Sequence, residues 1–250
     1  MSTNGNRLAV VTGGIGGLGT EICIHLARAG RRVVAADLEA RSERIDAFRE
    51  AVSQFNGQIQ FEPLNVADFD HCAAFAERVE QHHGPVDILV NAAGITRDTT
   101  LRKMDAKQWN EVMRVNLDGV FNLSRQFVDG MCERNFGRIV NISSVNGQTG
   151  QFGQTNYSAA KAGMHGFTMA LAREVARKGV TVNSVSPGYC RTAMVMQIAE
   201  PIRNEIIAKI PVGRLGEPSD IARVVDFLSA EDAGFITGAN VPVNGGYFMD

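Results

Sequence analysis

Short apolar runs recur along the chain, and between them apolar residues return at the three- and four-residue spacing of a helix. The runs fall at residues 8–12, 32–36, 59–61, 86–90, 137–142 and 180–185. Their largely apolar character predicts buried strands. Helical spacing predicts helices near 20–29, 39–55, 70–83, 105–133 and 157–177. Pro218-Ser219-Asp220 reads as an N-terminal cap for a further helix reaching about residue 229, and residues 235–243 read as a last strand. Strands alternating with helices in this way predict a doubly wound α/β architecture, a parallel sheet of about seven strands with helices on both faces.

The glycines at the first strand–helix junction give that sheet a chemistry. Leu8-Ala-Val-Val-Thr12 runs into Gly13-Gly14-Ile15-Gly16-Gly17-Leu18-Gly19, and a helix with Ile22, Leu26 and Ala29 on one face follows. Strand, glycine turn and helix in that order are what a dinucleotide phosphate site of the Rossmann type requires. Gly13 suits the tight turn, Gly17 lets backbone approach a pyrophosphate, and Gly19 lets the helix pack on its strand. The free N–H groups and positive dipole end of the helix then face the phosphates. Gly13, Gly14, Ile15, Gly17, Leu18 and Gly19 are therefore the expected cofactor loop. The second strand ends in Asp37, about where such units place an acid on the adenosine ribose.

Tyr157 and Lys161 stand four residues apart, so on a helix they share a face one turn apart. A tyrosine ionises near pH 10, too high for proton transfer at neutrality. A nearby ammonium favours the phenolate, so the pair is expected to lower the tyrosine pKa and to pass a proton to or from a substrate oxygen. On its own such a pair also fits a solvated helix face; the nucleotide loop is what gives it weight.

Composition narrows the class. With 250 residues and no linker or charge block, one domain spanning 1–250 is expected. A formal net charge of −2 argues against an electrostatic nucleic-acid binder. No apolar stretch is long enough for a bilayer, and residues 1–7 lack the apolar core of a signal peptide. Cys23, Cys72, Cys132 and Cys190 are scattered without metal-ligand spacing, so no metal site is expected, and the cysteines read as reduced packing residues of a cytoplasmic protein.

Thr12 to Gly19, Asn91-Ala92-Ala93-Gly94, Asn116, Ser143-Ser144, Tyr157-x-x-x-Lys161 and Pro187-Gly188 occur in an order that resembles the short-chain dehydrogenase/reductase family over essentially the whole chain. The resemblance implies a nucleotide-binding half near 1–116 and a catalytic and substrate half near 117–250, with a small substrate flap near 190–215. It implies Tyr157 as the general acid in carbonyl reduction and Lys161 as the group that lowers its pKa and holds the nicotinamide ribose. Ser144 would orient the substrate carbonyl, with Ser143 pointing the other way if strand alternation persists. Asn116 would brace a water that relays protons to Lys161. Asn65 and Val66 would meet the adenine edge, and Asn91, Ala92 and Gly94 the adenosine ribose side, although the family usually has a second asparagine where Ala92 stands. Pro187, Gly188, Cys190 and Thr192 would close over the nicotinamide.

Two stretches resemble more narrowly the acetoacetyl-CoA reductases of bacterial polyhydroxybutyrate synthesis: Gly94-Ile-Thr-Arg-Asp98 with Arg102-Lys103-Met104, and Asn141 through Tyr157. By that resemblance Asp98, Lys103, Ser144, Gln151, Phe152, Gln154 and Tyr189 are expected to meet the substrate. Phe152 would supply an apolar wall, the glutamines would donate to thioester or pantetheine oxygens, and Arg102 or Lys103 could meet a coenzyme A phosphate. The apolar segment 198–210 reads as a mobile flap. A 3-oxoacyl-[acyl-carrier-protein] reductase, another short-chain ketone reductase and a non-catalytic dinucleotide sensor stay open beside that reading. Relatives commonly form tetramers, so a homotetramer with an acyl-CoA substrate is expected. Enzymes of this kind are mostly described as using NADPH, yet Asp37 disfavours a 2′-phosphate, and no cation precedes Gly17. Arg41 and Arg44 could fold back to hold one but read better as a solvated face. NAD(H) is therefore expected over NADP(H).

Overall fold

The computed structural model describes residues 7–39, 42–55 and 57–249. Among the described residues seven strands are found: β1 (Leu8–Thr12), β2 (Arg32–Asp37), β3 (Ile59–Pro63), β4 (Val86–Asn91), β5 (Gly137–Ile142), β6 (Val180–Pro187) and β7 (Asn240–Val243). They form one sheet in the order β3-β2-β1-β4-β5-β6-β7, and every pairing is parallel. The helices are α1 (Gly17–Arg28), α2 (Ser42–Ala51), α3 (Phe69–His83), α4 (Ala106–Met113), α5 (Gly119–Glu133), α6 (Val145–Thr149), α7 (Thr155–Val175), α8 (Ala193–Met196), α9 (Glu200–Ala208) and α10 (Pro218–Leu228).

Strand alternation divides the core into two. Ala9 and Val11 of β1, with Ile88 and Val90 of β4, point to a face covered by Ile22 and Leu26 of α1, Phe48 of α2 and Ile221 and Val225 of α10. Leu8 and Val10, with Val86 and Leu89, point to the other, covered by Phe75 and Val79 of α3, Phe127 and Met131 of α5 and Val175 of α7. Because both faces are covered, the strands send apolar residues to both sides rather than to one alone, although polar residues such as Asp87, Arg138 and Asn183 interrupt them. The strand order reverses between β1 and β4, and the carboxyl ends of strands on either side of such a crossing open a crevice.

The structure departs from the sequence reading in five places. Helix α1 begins inside the glycine run, at Gly17. The long helix expected over 105–133 is broken by a π-turn at Arg114–Asp118. The helix expected over 39–55 reduces to α2 followed by a 3-10 turn at Ser53–Phe55. The last strand is shorter than 235–243: Phe235 is fully exposed, and pairing to β6 starts at Asn240. At α10 the cap is Glu217, with Asp220 reaching back to its N–H, so the motif lies one residue earlier than Pro218 suggested. Among the described residues no helix is long and apolar enough to cross a membrane.

Candidate active site

A cavity of about 550 Å³ opens along the carboxyl ends of the strands. Its floor is the glycine loop. Gly13 takes a left-handed φ of 64°, which turns the chain out of β1. A Cβ on Gly19 would stand 2.1 Å from the Gly13 carbonyl, so only glycine lets α1 start against the loop. Gly16 is the N-cap of α1, with no side-chain cap and no acid in the first turn. The leading N–H groups and the positive helix end thus face the cavity without a carboxylate to compete, which suits a pyrophosphate.

Asp37 ends β2, buried, and lines the cavity at one end. One carboxylate oxygen accepts the Leu38 N–H at 2.8 Å, which fixes the group at the strand end. Asn65 and Val66 line the same end. Arg44 of α2 is exposed and also lines the cavity, so it is more than a solvated face. Arg41 lies outside the described residues. Ala92, Gly94, Pro187, Gly188, Cys190 and Thr192 continue the lining toward the other end.

At that far end Ser144, Tyr157 and Lys161 come together. Ser144 follows β5 and caps α6, its Oγ accepting the Asn146 N–H at 3.1 Å. That bond occupies a lone pair on Oγ. The hydroxyl hydrogen is directed elsewhere, and a Ser144 hydrogen bond reaches the Tyr157 phenol. Ser143 also lines the cavity, but its hydroxyl is taken up in donating to the Lys161 carbonyl at 2.9 Å. The two hydroxyls therefore have different partners, just beyond the end of β5. Lys161 is buried; its Nζ donates to the Ile142 carbonyl at 2.7 Å and lies 5.6 Å from the centre of the Tyr157 ring.

The charge balance of this pair differs from the sequence expectation. Burial pushes the Tyr157 phenol up, the Ser144 hydrogen bond pulls it partly back, and the Asp98 carboxylate raises it further. Burial also pushes the Lys161 amine down to about 7. A lysine that is only partly charged near neutrality lends little positive potential to its neighbour, so desolvation prevails at Tyr157.

Asn116 sits in the π-turn and is fully buried. Its side chain clamps Ile95, accepting the Ile95 N–H at 2.8 Å and donating to the Ile95 carbonyl at 2.9 Å. The extra residue of the π-turn aims the side chain inward, toward Gly94 and Lys161, where an unbroken helix would turn it elsewhere.

Several expected residues lie elsewhere. Gly14 and Ile15 are not in the lining: the Gly14 N–H bonds the Ala36 carbonyl, and Ile15 is buried in the core. Asn91 is buried at the end of β4, its amide donating to Asn141 at 2.9 Å, and Asn141 in turn donates to Thr168. Its amide nitrogen is bonded inside the protein rather than presented to the cavity, while its Oδ1 is buried without a hydrogen-bond partner. Tyr189 packs edge-on against Tyr247 and is absent from the lining. Lys103 and Gln151 are exposed, and Phe152 is 87% exposed, so it walls no pocket here. Asp98 and Gln154 bond each other at 2.8 Å. The predicted flap holds α8 and α9, and its two ends are joined where Cys190 bridges Gly216 and the Gly216 N–H bonds the Tyr189 carbonyl.

Other contributors escape a reading by residue type. The Thr12 hydroxyl accepts the N–H groups of both Ala92 and Ala93, at 3.1 and 3.0 Å, and so ties the ends of β1 and β4 across the crevice. Arg97 lines the cavity and bonds Glu111 at 2.7 Å. Only strand adjacency reveals Thr12; Arg97 stood inside the quoted Gly94–Asp98 run.

The short chain dehydrogenase family model matches residues 7–203. An acetoacetyl-CoA reductase of Allochromatium vinosum is 53% identical over 97% of this chain and 99% of its own length. One from Cupriavidus necator is 52% identical over 97% of this chain and 98% of its own. A 3-oxoacyl-[acyl-carrier-protein] reductase of Pseudomonas aeruginosa is 42% identical over the whole of both chains. With the parallel sheet, the glycine-floored crevice and the serine, tyrosine and lysine gathered at its end, these likenesses identify the chain as a member of the short-chain dehydrogenase family.

Proposed function

We propose that the protein reduces acetoacetyl-CoA, or another short 3-oxoacyl-CoA, to the (R)-3-hydroxyacyl-CoA. The observation that carries the reading is the convergence of Ser144, Tyr157 and Lys161 at the end of a cleft built for a dinucleotide. The substrate class rests on relatives bearing that name at about half identity over nearly the whole chain. A reduced nicotinamide dinucleotide held in this cleft supplies the hydride. The glycine loop and the N-terminus of α1 hold its pyrophosphate, Asp37 its adenosine ribose, and Asn65 and Val66 its adenine.

The chain's own groups move the proton. Tyr157, its phenol held protonated by burial, gives its proton to the carbonyl oxygen as negative charge develops there. The Ser144 hydroxyl orients that oxygen and bonds the phenolate left behind. Lys161, close to neutrality in its pKa, returns a proton toward Tyr157 and binds the nicotinamide ribose. Asn116 fixes the Ile95 backbone beside the cleft, and its side-chain oxygen keeps a second lone pair for a relaying water.

Asp37 supports NADH over NADPH, since its fixed carboxylate meets a ribose hydroxyl favourably and a phosphate unfavourably. The cleft half near residues 1–116 binds the nucleotide, and the half near 117–250 carries the proton chemistry and the flap. Exposed Trp109, Phe121 and Met169 on α4, α5 and α7 favour a homotetramer assembled through these helices.

A turnover assay following the reduced-nicotinamide absorbance tests the reading. Acetoacetyl-CoA should give a higher kcat/KM than acetoacetyl carrier protein. Tyr157→Phe should keep cofactor binding while turnover falls by about two to four orders of magnitude. A clear preference for the carrier protein would favour the 3-oxoacyl-[acyl-carrier-protein] reductase instead. A loss of less than tenfold in Tyr157→Phe would remove Tyr157 from the acid role, and no turnover on any ketone would point to a dinucleotide sensor.

A further inference from the structure

Asp98 and Gln154 lie outside the cavity lining, although substrate contact was expected of them, and they are bound to one another. Three consecutive residues after β4 are fastened to the start of α7. The Arg97 carbonyl accepts from Asn156 Nδ2 at 3.2 Å, the Asp98 carboxylate accepts from Gln154 Nε2 at 2.8 Å, and the Thr99 N–H donates to the Gly153 carbonyl at 2.8 Å. Gln154 uses its other end too: its Oε1 accepts from Asn146 Nδ2 at 2.9 Å. Asn146 is the residue whose backbone N–H bonds Ser144 Oγ at 3.1 Å. A continuous chain of bonds therefore runs from the Asp98 carboxylate through Gln154 and Asn146 to the hydroxyl that meets the Tyr157 phenol.

Resting on the reductase reading above, we propose that Asp98 is a positioning residue of the acid site, holding Gln154 and Asn146 so that Ser144 and Tyr157 keep a fixed separation. The chain spans three elements: the loop after β4, the cap of α6 and the residue before α7. None of these is fixed to the others by the sheet at that point; the Thr99–Gly153 backbone bond joins the loop to the residues before α7, and side chains carry the link on to α6. Asp98 also acts through its charge. Among the described residues, Lys161 lies 5.6 Å from the Tyr157 ring on the same helix, the Asp98 carboxylate in the loop after β4 raises the phenol pKa, and Arg97 next to it in sequence is paired to Glu111. A carboxylate facing the phenol disfavours the phenolate and keeps the acid loaded.

The test uses the full chain with acetoacetyl-CoA. Asp98→Ala should lower kcat about tenfold to a hundredfold, the scale of one lost hydrogen bond to a charged group, with KM within about twofold of wild type. Asp98→Asn keeps an acceptor for Gln154 and should restore most of that kcat. The second readout needs no substrate. The chain has three tyrosines, so the near-ultraviolet difference between a protein and the same protein carrying Tyr157→Phe isolates the ionisation of Tyr157. That ionisation should move to lower pH in both Asp98 variants. A raised KM with kcat intact would put Asp98 on the substrate and overturn the proposal, and so would an unmoved phenol titration. Should wild type fail to reduce acetoacetyl-CoA, the proposed function falls, and the titration still decides the role of Asp98.

Discussion

Replacing Asp37 with serine probes how the cleft chooses its dinucleotide. The carboxylate is 8% exposed and pinned by the Leu38 N–H at 2.8 Å, so it cannot swing away from a phosphate on the adenosine ribose. At roughly 4 Å, two like charges repel by about 4 kcal/mol at an effective dielectric of 20, and by about 1 kcal/mol in water. Asp37 sits at the mouth of the cleft, between those limits. Against this stands Arg44, exposed at the cavity edge, where an ion pair contributes about 0–1 kcal/mol. The balance leaves NADH favoured by about 1–3 kcal/mol, or about 5- to 150-fold in kcat/KM. Asp37→Ser removes the charge and keeps a small polar group at the strand end. The ratio of kcat/KM for NADH to that for NADPH should then fall about tenfold or more. Saturating turnover should change little, because Asp37 lies at the end of the cleft away from Tyr157. Steady-state kinetics with both dinucleotides measure this directly. A wild-type enzyme more efficient with NADPH would refute the electrostatic reasoning and give the choice to Arg44, in which case Arg44→Ala would be the variant that lowers NADPH efficiency.

The two adjacent serines should behave differently. Ser144→Ala should cut turnover about a hundredfold or more, whereas Ser143→Ala, losing a bond to the Lys161 carbonyl, should act chiefly by lowering the melting temperature; the reverse ranking would show that the strand ends in another register. Lys161→Met should abolish most turnover yet stabilise the fold. With its folded pKa pushed from 10.5 down to about 7, the buried amine destabilises the protein fully below pH 7, and the penalty fades as pH rises toward 10.5. The gain in Tm over wild type should therefore be largest near about pH 6 and vanish in alkali; it is offset in part by the lost bond to the Ile142 carbonyl, worth about 1 kcal/mol. A variant that melts lower than wild type at about pH 6 would contradict this.

The strands and the nucleotide loop were legible in the chain because their causes are local. A strand buried on both faces is largely apolar, as Leu8–Val11 and Ile88–Val90 are, and a turn that needs a positive φ or forbids a Cβ must hold glycine, as at Gly13 and Gly19. The tyrosine–lysine spacing shows a shared helix face for the same reason. What tertiary structure decided are the matters of partnership. Asn91 reads as a cleft residue by its place after a strand, but β5 lies beside β4 and offers Asn141, so its amide turns inward. Asp98 and Gln154 read as two substrate ligands, and only the approach of the loop after β4 to α7 joins them to each other. The ionisation of Tyr157 depends on burial as well as on its neighbours. Spacing reveals that Lys161 is one turn away, whereas the fold alone determines that both groups are desolvated and that burial outweighs their mutual attraction.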